Sequence, residues 1–137
     1  MPGDAHLELT REWLRYTRED LEGAEYVVAN YPALAPRHAC FFAQQSAEKA
    51  LKAILIYLQI EYPHRHNLDE LRDLIPAGWS VKTDYPTLKP LVAWAVESRY
   101  FSELPDATLD NVRDAARQAR AIYESVTGDL VGHGFSL

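Results

Sequence analysis

The residues with the most chemistry to offer stand in one stretch, Phe41-Phe42-Ala43-Gln44-Gln45-Ser46-Ala47-Glu48-Lys49-Ala50-Leu51-Lys52-Ala53. Gln45, Glu48, Lys49 and Lys52 recur at three- and four-residue steps, which on a helix joins them into one polar stripe on its surface. Lys49 and Lys52 on such a stripe can supply positive charge to a phosphate-binding groove. A plainer reading stands beside it: Glu48 and Lys52 are in the favourable order for an ion pair, worth a few tenths of a kcal/mol when exposed. Gln44 and Gln45 cannot both face solvent, because helical neighbours lie about 100° apart. One of them turns inward, where its amide needs a partner. That partner is either a neighbouring helix or loop, or a nucleotide or second chain.

Two further groups can carry chemistry. His64-Arg65-His66 is a compact cationic cluster; a metal centre there would lack its third and fourth ligands, so no metal is expected. His66 is expected to bond a helix end or the polar stripe. Arg99 and Tyr100 stand where the chain must turn between two helices. The guanidinium suits forked recognition of a phosphate or a carboxylate, so it either contacts a nucleotide or RNA phosphate or pins the loop to Glu48 or Asp20. Tyr100 either stacks on a base or packs as a core aromatic.

The elements that must position these residues are helical nearly throughout. In the first, Trp13, Leu14, Thr17, Leu21, Ala24, Tyr26, Val27 and Val28 recur with helical period, Thr10 is the expected N-cap, and Asn30-Tyr31-Pro32 ends the run. Pro36 opens a second helix reaching about Glu61, with Cys40, Phe41, Ala43 or Gln44, Ala47, Leu51, Ile54, Leu55 and Leu58 inward. Asn67 caps a short helix through Leu71, Leu74 and Ile75. Trp79 to Thr83 reads as loop, and Leu88 to Val96 as a fourth helix. Thr108 caps the last one, with Val112, Ala115, Ala116, Ala119, Ile122, Tyr123 and Val126 inward. Gly128 is expected to end it, leaving a frayed tail. The expected fold is all-α, an antiparallel up-and-down bundle of four long helices and one short one, over residues 8–127, with flexible termini at 1–7 and 128–137.

Composition agrees with one domain: 137 residues, 47% hydrophobic and 25% charged. The net charge of −6 argues against broad non-specific binding of nucleic acid, which needs phosphate-neutralising side chains, though it leaves room for a small basic groove; no DNA partner is expected. Lone Cys40 cannot close an internal disulfide, which points to a reducing cytoplasm and to a buried apolar role for the thiol. The apolar run from Ala53 to Leu58 is too short to span a bilayer, and Met1 to His6 shows no signal peptide.

The order of features resembles the HEPN domain, whose name joins higher eukaryotes, prokaryotes and nucleotide binding. The resemblance rests on Trp13-Leu14 and Asp20-Leu21 in the first helix, on the Phe41 to Ala53 motif, on His66-Asn67-Leu68, on Ser98-Arg99-Tyr100, and on the Ala-rich last helix. It implies a helical bundle that usually dimerises, often beside a minimal nucleotidyltransferase with which it forms a toxin–antitoxin pair. It also implies, for many members, metal-independent RNase activity through an Arg followed four to six residues later by a His. Arg99 matches that arginine, but Tyr100-Phe101-Ser102-Glu103-Leu104-Pro105-Asp106 follows without a His, and no other arginine has one at that distance. The resemblance therefore favours a homodimeric nucleotide-binding or interaction subunit, using Gln45, Lys49, Lys52, Arg99 and Tyr100, with no cofactor. The alternatives are an RNase toxin acting on RNA through Arg99 and His66, and a purely structural dimer.

Overall fold

The computed structural model describes residues 4–30, 36–63, 67–85, 88, 91 and 108–137. Among these the chain is all-α. Three long helices, α1 (Ala5–Asn30), α2 (Pro36–Tyr57) and α5 (Leu109–Gly132), are joined by two short ones, α3 (Leu68–Leu74) and α4 (Ser80–Asp84). The fourth long helix expected over Leu88–Val96 lies outside the described residues apart from Leu88 and Leu91, both buried.

α1 buries Thr10, Leu14, Thr17, Leu21 and Ala24, a narrow stripe of one residue per turn. Thr10 is not its cap. The helix starts five residues earlier, where Leu7 already packs on the core, and the Thr10 hydroxyl donates to the His6 carbonyl at 2.7 Å. Thr17 does the same to Trp13 at 2.8 Å. Back-bonding of this kind satisfies a hydroxyl inside a helix and lets threonine be buried there. Tyr26, grouped with the inward residues by its spacing, is 59% exposed instead.

α2 is the centre of the bundle, with α1, α3 and α5 all packed on it. Ala39, Ala43, Ala47, Ala50 and Ala53 let its neighbours come close, and the Ser46 hydroxyl donates to the Thr17 carbonyl of α1 at 3.0 Å. The helix ends at Tyr57 rather than at Glu61. Gln59 takes a left-handed φ of 57°. Its N–H then donates to Ile56 at 3.0 Å while that of Ile60 donates to Leu55 at 2.8 Å, closing the last turn. Leu58 and Ile60 fold back onto the core, so apolar residues beyond Tyr57 mimic a helix continuation in the sequence.

α3 begins as expected on Asn67, whose Oδ1 accepts from the N–H groups of Asp69 at 2.9 Å and Glu70 at 3.2 Å. The stretch expected as loop holds α4. Its own N-cap, Trp79, makes no side-chain cap; Asp129 reaches across from α5 and accepts the Val81 N–H at 3.3 Å. Val81 and Trp79 are both buried. A five-residue helix is too short to stand on propensity, so this long-range cap and burial decide its form.

α5 opens on a reciprocal cap between Thr108 and Asn111. It does not stop at Gly128. The chain continues helically to Gly132, because buried Val126 and Leu130 bracket the glycine and outweigh its cost of about 1 kcal/mol. Gly134, at φ 96°, turns the chain so that Phe135 donates back to Leu130 at 2.9 Å. The expected frayed tail is docked: Phe135 is 5% exposed and meets Tyr57 edge-on at 5.6 Å. Arg11 lies over the Phe135 ring and donates to the Ser136 carbonyl at 3.0 Å. His133 stacks flat on Trp79 at 4.0 Å. One end of the bundle therefore gathers the start of α1 and the ends of α2 and α5, so α1 runs antiparallel to both. No described helix is long and apolar enough to cross a membrane.

Candidate functional site

The polar residues of α2 do not form a single surface stripe. Packing on several sides divides them into an inner row and a rim. Cys40, Gln44, Glu48 and Lys52 repeat every four residues and are all buried, Glu48 at 3% and Lys52 at 7% exposure. Lys52 Nζ donates to Glu48 Oε2 at 3.1 Å, and its ammonium sits 5.7 Å from the Trp13 ring and 5.4 Å from the Tyr62 ring. A charged pair so enclosed loses water, and the opposite charge and two aromatic faces replace that hydration. Burial, with the nearby Glu48 charge, raises the pKa of the Tyr62 phenol. Burial also pushes the Cys40 thiol up to about 11, which leaves it a small inert hydrophobe.

The two glutamines divide as their adjacency requires. Gln44 is fully buried and Gln45 half-buried, and Gln45 Nε2 donates to Gln44 Oε1 at 2.8 Å. Among the described residues, Gln44 Nε2 has no hydrogen-bond partner.

Lys49 lies on the rim, one turn beyond Gln45. Its ammonium meets Asp20 Oδ2 of α1 at 2.5 Å, with the two side chains 25% and 22% exposed. This pair spans twenty-nine positions in the chain. No i,i+4 rule could find it, although Asp20 and Lys49 both belong to the motif residues. Trp13 and Tyr62 as walls around Lys52 were equally hidden, since only packing brings them together.

Of the five residues expected to bind a ligand, Gln45 and Lys49 share the accessible rim and Lys52 belongs to the buried row. Arg99, Tyr100 and His66 lie outside the described residues. No group of three or more His, Cys, Asp or Glu side chains is placed to hold a metal ion among the described residues.

Residues 10–129 match the family model of the HEPN domain. The chain belongs to the HEPN domain family. Its bundle is similar to TT1696 from Thermus thermophilus, with a TM-score of 0.73, 24% identity, and coverage of 88% of this chain and 98% of that one. It is also similar to ST0689, an archaeal HEPN homologue, with a TM-score of 0.63, 23% identity, and coverage of 87% and 95%. At such identities these two share the HEPN fold with this chain, and the likeness extends no further. The curated proteins contain no match to the chain.

Proposed function

We propose that this HEPN protein is the nucleotide-binding and interaction subunit of a toxin–antitoxin-like pair, acting as a homodimer in the cytoplasm beside a minimal nucleotidyltransferase. The observation that carries the reading is the rim of α2, where Gln45 and Lys49 remain half-accessible just before the fully enclosed run of residues 50–56. A lysine at a water-exposed edge can exchange its carboxylate partner for a phosphate, while an adjacent amide offers hydrogen bonds to the rest of a nucleotide. Lys52 takes a different part from the one its spacing suggests, holding the helix face beneath the rim. The sequence also lacks a His at the Arg-to-His spacing of the family's RNases, and this favours binding over cleavage.

The test is calorimetric titration of the protein with ATP, beside Lys49→Glu. The reading expects saturable binding by the native chain and at least a tenfold loss in the variant. Equal affinity in a Lys49→Glu protein that melts normally would remove the rim from the site. Co-purification with a co-expressed minimal nucleotidyltransferase tests the partnership separately.

A further inference from the structure

Lys49 and Lys52 stand three residues apart on the same helix, yet only one of them is in a position to change partners. Lys52 is enclosed by Glu48, Trp13 and Tyr62, and its side chain is 9% exposed. Lys49 is held by a carboxylate from another helix, at a place where both side chains touch water. We infer that Asp20 is a built-in competitor for the phosphate of the ligand: its carboxylate occupies the Lys49 ammonium in the free protein, and a nucleoside polyphosphate must displace it. This rests on the nucleotide-binding reading above and adds its regulation.

A carboxylate presents two oxygens and one negative charge to an ammonium. A terminal phosphate presents three oxygens and nearly twice the charge, so it makes the same contact more strongly. A partly exposed ion pair holds with little free energy, so its opening is cheap. Gln45, one turn before Lys49, places an amide beside the contact that Asp20 does not use: its hydrogen bond goes to Gln44. The Ser46 to Thr17 bond and the alanine face already hold α1 on α2, so that interface does not depend on the edge pair staying closed.

The test compares ATP and inorganic tripolyphosphate binding by the native protein, Asp20→Asn, Asp20→Ser and the double variant Asp20→Asn/Lys49→Met. Removing the competitor should tighten both ligands about fivefold, the scale of a weak surface pair. The double variant should lose that gain. Tightening for ATP but not for tripolyphosphate would overturn the phosphate assignment. Unchanged or weaker binding in an Asp20 variant with a native melting curve would overturn the gate. A wild-type readout avoids dependence on variants that fail to fold: carbodiimide labelling of Asp20, followed by mass spectrometry, should rise when ATP is added. Binding with unchanged Asp20 labelling also overturns the gate but leaves the nucleotide-binding reading intact. No binding by any of the proteins removes both.

Discussion

The inner row and the rim of α2 carry the same kinds of charge under opposite conditions. Glu48 and Lys52 form a pair within one helix, cut off from water and walled by aromatic rings. Asp20 and Lys49 form a pair between helices, at an edge that water reaches. The inner pair cannot open without exposing apolar surface, so its charges belong to the architecture. The rim pair can open at small cost, so its charges are the ones the proposed phosphate site would use. Three residues of separation on a helix, a rotation of about 300°, is enough to move a lysine from one regime to the other.

The largest effect is expected at the inner pair. Glu48→Leu should cost about 3–5 kcal/mol, because it strands the buried charge of Lys52. The double variant Glu48→Leu/Lys52→Met should be less destabilised than Glu48→Leu alone, and urea unfolding of the two reads the difference. If the single variant loses under about 1 kcal/mol, the inner row is wetter than its burial implies. Asp129→Ala should cost about 1 kcal/mol by removing the cap that α5 lends to α4. Hydrogen exchange should then quicken at Val81 while the amides of α2 stay protected. Asp20→Asn should change stability by no more than about 1 kcal/mol, and that small difference should vanish in about 1 M salt, where charges are screened beyond about 3 Å. The penalty of Glu48→Leu should survive the same salt. The least effect is expected at Cys40, which shares the inner row. With its thiol raised to about 11 it stays protonated in mildly alkaline buffer, so a disulfide reagent should label it only as the protein unfolds. Labelling of the folded chain would show that water enters the row.

Much of the fold is legible in the spacing of apolar residues. The inward face of α5, that of α2 except for Phe41, which is half-buried while Phe42 packs on the core, the Asn67 and Thr108 caps and the all-helical architecture follow from local rules, because each rule concerns residues within a few positions of one another. Where sequence and structure part, non-local packing or an ambiguous local bond is responsible. Thr10 reads as a cap, yet a threonine can back-bond inside a helix as readily as it caps one. Gly128 reads as a stop, yet buried Val126 and Leu130 carry the helix past it through their packing. α4 is invisible in the sequence because its cap comes from Asp129, forty-eight residues away. The site is legible as a set of residue types, but the choice between surface and interior is not. Gln45, Glu48, Lys49 and Lys52 look alike in sequence, and only the helices packed around α2 decide which of them meets water.

The docking of Phe135 has a consequence for how the molecule comes into being. This ring, Arg11 above it and Tyr57 beside it join the first helix, the central helix and a segment that follows α5. The ring that seals one end of the bundle is thus synthesised after every described helix. Until the last helix emerges, α1 and α2 must wait with its seat uncovered, and until the ring follows, the end they share with α5 stays unsealed, a period in which exposed apolar faces invite association with other chains. A ribosome stalled between Gly132 and Phe135 would hold the bundle open at that end, and the start of α1, made first, would be sealed last.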